Sequence, residues 1–113
     1  MTENRIHILW TSGDRDVALK MVFMYAHNSR LRNWWDEVHL IVWGPAANLL
    51  AEDGELQMHV AAMQESGVVF SACKKCTDEY GISERISGMN IDVRYMGEPL
   101  TEILKSGQRL LTF

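Results

Sequence analysis

Short apolar segments alternate with longer amphipathic segments from one end of the chain to the other. The apolar segments are rich in β-branched and aromatic residues and are bounded by glycine, proline or hydroxyl-bearing residues, as strands are. Five strands are therefore predicted, over residues 5–10, 37–44, 68–72, 91–96 and 108–113.

The segments between these strands have the periodicity of helices, which are predicted over residues 14–30, 46–64, 73–80, 83–88 and 98–107. In the first of them, apolar side chains recur on one helical face, namely Val17, Ala18, Met21, Val22 and Tyr25. Asp53 and Gly54 weaken the middle of the second helix and mark a candidate break.

Strands and helices alternate without interruption, and the last element is a strand. Such alternation is typical of a parallel sheet with helices on both faces. The prediction is a single domain, residues 1–113, with a three-layer α/β/α architecture around a mostly parallel five-stranded sheet. The pattern does not determine the order of the strands within the sheet.

This architecture indicates where a functional site should lie. In open α/β sheets, ligands bind beyond the carboxyl ends of the strands. The segments that leave those ends contain glycine, hydroxyl and thiol groups suited to tight turns and close approach. The candidate site residues are accordingly Thr11, Ser12, Gly13, Gly44, Pro45, Cys73, Lys74, Cys76, Gly97 and Glu98.

Composition narrows the possible functions. The 113-residue chain carries a net charge of −4, and its Lys and Arg residues are scattered, which disfavours nucleic acid as a partner. No apolar run approaches the length of a membrane span, so no membrane association is predicted. The N-terminus lacks the layout of a signal peptide, so a cytoplasmic location is predicted. Thiols stay reduced there, which favours a chemical role for the two cysteines.

Cys73 and Cys76 form a C-x-x-C pair at the start of the third predicted helix. Unpaired N–H groups in a first helical turn lower the pKa of a thiol, and Lys74 would add to this effect. Cys73 is therefore predicted to be the more reactive and more accessible thiol, with Cys76 one turn further as an auxiliary group. The alternative is that either cysteine is simply a small buried apolar residue.

Other chemistries have weaker support. A structural zinc site needs four ligands, and this chain offers one C-x-x-C and four isolated histidines, so no metal is predicted. Neither a P-loop nor a dinucleotide fingerprint follows the first strand, and no nucleophile elbow surrounds Ser12, so no cofactor is predicted. Trp34 and Trp35 belong either to the core or to an exposed patch that contacts a partner.

The segment FSACKKCTDEYGI, the tail GMNIDVRYMGEPLTEILKSGQRLLTF, and the strand ends HILWTSGD and VHLIVWGPAANLL together resemble the DsrE-like family of sulfur-relay proteins. The resemblance covers nearly the whole chain and is closest to small stand-alone members. It implies a parallel α/β fold, a homo-oligomer, and a persulfide on Cys73 that is exchanged with sulfur donor and acceptor proteins. Cys76 departs from the simplest sulfur-relay pattern, which needs one cysteine here.

Three functions follow from these observations. The first is a sulfur carrier or sulfurtransferase that accepts sulfane sulfur on Cys73. The second is a non-catalytic module that binds a small ligand or a protein, with Cys73 only lining the site. The third, a C-x-x-C dithiol oxidoreductase, is less favoured because the chain shows no thioredoxin pattern beyond that spacing.

Overall fold

A computed structural model of the protein describes residues 4–113 and shows one five-stranded sheet in the order β4-β3-β2-β1-β5. All four strand pairs are parallel, which confirms the predicted α/β class. The strands are β1 (Arg5–Trp10), β2 (Glu37–Val42), β3 (Val68–Cys73), β4 (Asp92–Arg94) and β5 (Arg109–Thr112). The strand after Ile91 is thus shorter than predicted, and β3 extends one residue further, to Cys73.

The helices are α1 (Arg15–Val17), α2 (Phe23–Leu31), α3 (Pro45–Glu52), α4 (Gly54–Glu65), α5 (Lys74–Tyr80), α6 (Ser83–Ser87) and α7 (Gly97–Lys105). A π-helical turn, Ala18–Val22, joins α1 to α2 and interrupts the predicted continuous helix. Asp14 caps α1 because its carboxylate accepts hydrogen bonds from the next turn. The predicted break at Asp53 is confirmed: its carboxylate accepts from the Leu56 N–H and starts α4.

Right-handed crossovers decide which face of the sheet each helix covers. β1, β2, β3 and β4 follow one another in one direction, so the helices between them lie on one face. The chain then returns across the sheet to place β5 on the far side of β1. Because this last crossover runs in the reverse direction, α7 alone lies on the opposite face.

The crowded face carries the main core. It is built from alternate residues of the three central strands, Ile6, Ile8, Trp10, Val38, Leu40, Val42, Val68, Phe70 and Ala72. The helices add Phe23, Leu50, Leu56 and Ile86, all buried. Trp10 meets Phe23 edge to face, with ring centroids 5.1 Å apart. Burying one side chain of this size contributes about 1.5–3 kcal/mol to folding, so this layer supplies most of the hydrophobic stabilisation.

The opposite face is covered only in part. α7 contributes Ile103, which packs with Met96, Ile41 and Cys73 in a second, smaller cluster. Beyond this cluster the sheet is open, and Val69, the second residue of β3, is 51% exposed. Parallel sheets are normally covered on both faces, so this open face is an unusual surface.

The membrane prediction can be compared with the described part of the chain. Within residues 4–113 no helix is both long and apolar enough to cross a bilayer. The signal-peptide prediction concerns the first residues, of which Met1 to Glu3 lie outside the described range.

Candidate functional site

The two cysteines lie at the switch point of the sheet. The connection after β3 leads to α5, beside the helices of the crowded face, whereas the connection after β4 leads to α7 on the other face. Cys73 is the last residue of β3 and stands in register with Arg94, the last residue of β4. Ligands of open α/β sheets bind in the crevice where neighbouring connections part in this way.

Cys73 is less accessible than the sequence predicted. It is only 4% exposed and packs against Ile41, Met96 and Ile103. It is the N-cap residue of α5, but its side chain makes no capping hydrogen bond. Its sulfur lies in the apolar cluster and accepts no capping hydrogen bond from the first helical turn.

Cys76 is the more accessible thiol of the pair. It lies one turn into α5, is half-buried, and is a free thiol like Cys73. Partial burial raises its pKa above the usual value, and the nearby Cys73 sulfur raises it further. The backbone N–H of Gly44 acts in the other direction, because it donates a hydrogen bond that stabilises the Cys76 thiolate. The prediction that Cys73 has the greater access is therefore wrong.

The loops after β1 and β2 meet beside each other, as predicted for the functional edge. A side chain added at Gly13 would come within 3.1 Å of the Pro45 Cβ atom, which shows how closely these loops approach. The hydroxyl and N–H of Thr11 and the N–H of Ser12 all donate to the carbonyl oxygen of Phe113. Thr11 and Ser12 therefore bind the C-terminal residue. Among the residues of these two loops, Gly44 is the hydrogen-bond partner of Cys76.

The charged residues predicted for the site are directed elsewhere. The Lys74 ammonium is 2.7 Å from the Asp78 carboxylate and 5.4 Å from the centre of the Tyr95 ring. Asp78 raises the pKa of Lys74, so this lysine is charged but its charge is paired. Gly97 and Glu98 begin α7 and are both exposed. Lys74 is therefore not a partner that activates a thiol.

A polar group that the sequence analysis did not select lies on the open sheet face. His7 and His39 are in register on β1 and β2, with ring centroids 5.2 Å apart. His7 is buried, its Nε2 atom is 2.7 Å from Gln108 Oε1, and its Nδ1 atom has no partner among the described residues. The available signal was a histidine within a strand expected to be apolar on both faces.

Acidification should destabilise the protein through His7. Burial, with smaller contributions from His39 and Arg5, lowers the pKa of His7 below its usual 6.5, although the Gln108 bond opposes this. As the pH falls below 6.5, His7 becomes protonated in the unfolded chain but stays neutral in the folded protein. The free energy of unfolding should fall by up to about 1.4 kcal/mol per pH unit, until His7 itself is protonated.

Urea denaturation between about pH 7.5 and pH 5 measures this effect. His7→Gln should remove most of the dependence of the free energy of unfolding on pH. His59→Gln, at an exposed helical histidine, should retain this dependence. The carboxylates with lowered pKa values, Glu37, Asp53 and Asp78, lose their contributions at lower pH. If His7→Gln shows the same pH dependence of stability as the wild type, the effect does not come from His7.

The described residues do not bring three or more metal ligands of the usual kinds together. Within residues 4–113, no group of three or more His, Cys, Asp or Glu side chains could hold a metal ion.

The all-parallel sheet, its strand order and the single helix on one face define a DsrE-like fold. Solved structures with the same fold include the ychN protein from E. coli, at 20% identity and a TM-score of 0.71 over 96% of this chain and 98% of that one. MTH1491 from Methanobacterium thermoautotrophicum, a protein of unknown function, matches at 16% identity and a TM-score of 0.70 over 96% and 98%.

A third solved structure is much more similar. BT1422 from Bacteroides thetaiotaomicron, described as a conserved protein of unknown function, shares 39% identity over 97% of this chain and 95% of its own, with a TM-score of 0.95. The chain belongs to the same family as BT1422. No protein-family model and no curated protein matches the chain.

Proposed function

We propose that the protein is a sulfur carrier whose Cys73–Cys76 pair accepts sulfane sulfur from a donor and passes it to an acceptor. The observation that supports this most is the meeting of two free thiols at the switch point, one half-buried and one buried. The fold is compatible with this role and does not specify it, because one fold can support many functions.

The chemistry is an exchange of S–S bonds. The Cys76 thiolate attacks the terminal sulfur of a donor persulfide, R–S–S–H, and the donor leaves as the thiolate R–S⁻ with the electron pair of the broken bond. The Cys73 thiolate then attacks the same sulfur, which gives Cys73–S–S–H and frees the Cys76 thiolate. Each step forms one S–S bond and breaks another, so no external oxidant or reductant is required.

The two positions suit different steps. Cys76 is the thiol that a donor can reach, and the Gly44 N–H stabilises the thiolate that must attack. Cys73 lies among Met96 and Ile103, where a persulfide is shielded from thiols in solution. In this proposal the persulfide rests on Cys73, the residue to which the family resemblance assigns it, and reaches that residue through Cys76.

Intact-mass spectrometry after incubation with inorganic polysulfide tests the proposal. The wild-type protein should gain the mass of one sulfur atom, and dithiothreitol should remove it. The double variant Cys73→Ser/Cys76→Ser should gain nothing. A wild-type protein that gains no sulfur would favour the competing function, a non-catalytic binding module, which the burial of Cys73 also fits.

The dithiol oxidoreductase remains a third proposal, and it makes a different prediction. In that case the two thiols would form a disulfide with each other and leave no added sulfur after oxidation. The mass of the product distinguishes the two outcomes, because a disulfide loses two hydrogen atoms whereas a persulfide gains sulfur.

We further propose that the protein is a homo-oligomer. An exposed apolar patch on and beside α2 consists of Met21, Met24, Leu31 and Trp34, each at least 41% exposed. Tyr25 lies beneath it and accepts a hydrogen bond from the Trp35 indole N–H, which fixes the patch against the core. Apolar patches of this kind commonly mark interfaces, and a second copy of the chain is the proposed occupant.

Light scattering should accordingly give a mass that is a multiple of 12.9 kDa at micromolar concentration. Met24→Asp places a charge in the patch and should shift the protein toward the monomer, because a buried unpaired charge is costly. Met58→Asp is the matched control, since Met58 is 74% exposed on α4 outside the patch. A wild-type monomer, or an oligomer insensitive to Met24→Asp, would refute this interface.

A further inference from the structure

Three sulfur-containing side chains pack together in the small cluster at the carboxyl end of β3. Cys73 and Met96 are both 4% exposed and belong to its buried part, and Cys76 packs against it. These are the only two cysteines of the chain, and sulfur transfer makes no use of the Met96 thioether. The cluster therefore holds a set of soft donor atoms with a further possible role.

The two cysteine side chains contact each other. They are one helical turn apart and lie on the same side at the start of α5. The Cys76 side chain is hydrogen-bonded to that of Cys73, and this bond helps to raise the pKa of Cys76. Thiolates bind protons and soft metal ions through the same sulfur lone pairs, so a metal ion would replace the thiol protons here and release them.

The connection after β4 brings the third sulfur to the same place. Cys73 is in register with Arg94, the last residue of β4, and Met96 follows two residues later as the N-cap residue of α7. The Met96 side chain packs in the cluster with Ile41 and Ile103. The thioether and the thiols thus come from different strand ends and are brought together only by the fold.

This set of ligands favours copper(I) over other metal ions. Thiolate and thioether sulfur atoms select soft ions such as copper(I), whereas magnesium, calcium and manganese need oxygen ligands. Structural zinc takes four ligands, and within residues 4–113 no further His, Cys, Asp or Glu side chain joins the two cysteines. The sequence analysis predicts no metal for that reason, but the reason does not apply to an ion that two or three sulfur atoms satisfy.

The surroundings of the three sulfur atoms also suit this ion. The other members of the cluster are apolar, namely Leu9, Ile41, Trp43 and Ile103. An apolar shell limits the access of water and stabilises the reduced ion. The Gly44 N–H donates a hydrogen bond to the Cys76 sulfur, which offsets part of the negative charge of two thiolates on one monovalent cation. Cys76 is half-buried and provides the route of entry.

We propose that Cys73, Cys76 and Met96 form a binding site for one copper(I) ion, held by two thiolates and one thioether. The two thiols release two protons, each thiolate and the thioether donates an electron pair to the ion, and copper stays in the +1 state. No oxidant or reductant takes part. The site shares its thiols with the proposed sulfur transfer but does not depend on it, because it needs thiolates and not a persulfide.

An anaerobic titration of the reduced full-length protein with copper(I), in competition with the coloured chelator bicinchoninate, tests the site. The wild type should bind one copper(I) ion per chain. Cys73→Ser and Cys76→Ser should each weaken binding by at least about 100-fold, because a hydroxyl is a hard ligand that copper(I) disfavours. The double variant Cys73→Ser/Cys76→Ser should take no copper from the chelator.

Two buried methionines separate metal ligation from packing. Met96→Leu keeps the apolar volume but removes the thioether, so it should weaken copper(I) binding roughly tenfold and still load sulfur from polysulfide like the wild type. Met63→Leu makes the same change in the main core and should bind copper(I) like the wild type. X-ray absorption at the copper edge should show sulfur neighbours alone, with one fewer in Met96→Leu.

Three results would overturn the proposal. The wild type could take no copper(I) from bicinchoninate, the double cysteine variant could bind it as tightly as the wild type, or Met96→Leu could bind it as tightly as Met63→Leu. None of these results bears on the sulfur-carrier proposal, which is tested by the mass gained from polysulfide. A protein that binds copper(I) but gains no sulfur would contradict the carrier proposal alone.

Discussion

Replacing Cys76 by serine should slow the loading of sulfur from polysulfide by roughly tenfold or more, because thiol reactivity follows access and thiolate character. The remaining thiol, Cys73, is only 4% exposed and lies among apolar side chains. In the wild type the loading rate should rise with pH through and beyond 9.0, since burial raises the pKa of Cys76 above that usual value. Time-resolved intact-mass spectrometry measures both effects.

Replacing Cys73 by serine should speed the removal of sulfur and leave its loading intact. Cys76 should still load, but its persulfide should be removed by added glutathione roughly tenfold faster than in the wild type, because it stays accessible. Ser71→Ala, in the same strand and also directed to the open face, is a control that should load and unload like the wild type. Wild-type loading in Cys76→Ser would show that donors reach Cys73 directly.

Gly44→Ala should destabilise the protein by about 1–3 kcal/mol and slow sulfur loading as well. Gly44 precedes α3 with φ 62° and ψ −135°, a conformation that residues with a Cβ atom rarely adopt. An added methyl group would meet no atom within 4 Å, so the whole effect should come from the backbone. Relaxation of this turn would displace the N–H that stabilises the Cys76 thiolate.

Gly54→Ala is the matched control for this prediction. Its added methyl group would also meet open space, but Gly54 has no positive φ and begins α4. Alanine is favoured in a helix, so this variant should be as stable as the wild type or more stable by about 0.4–1 kcal/mol. Urea denaturation compares the two variants, and equal stability of Gly44→Ala and wild type would contradict the proposed role of the turn.

Local sequence signals determined the alternation of strands and helices along the chain. The periodicity of apolar residues depends only on neighbours along the chain, so it located every strand and the break at Asp53. It also placed Cys73 and Gly44 at the carboxyl edge, because that edge follows from alternation alone. The π-helical turn, Ala18–Val22, was missed because its apolar stripe resembles that of an ordinary helix.

Only the tertiary structure decided which face and which neighbours each residue has. The strand order places α7 alone on one face, and that arrangement buries Cys73 while it leaves Val69 exposed. The hydrogen-bond partners of His7 and Cys76 are Gln108 and Gly44, which are remote from them in the sequence. Burial and hydrogen bonding at a site are sums over such distant contacts, so the periodicity that reveals a strand or helix carries no information about them.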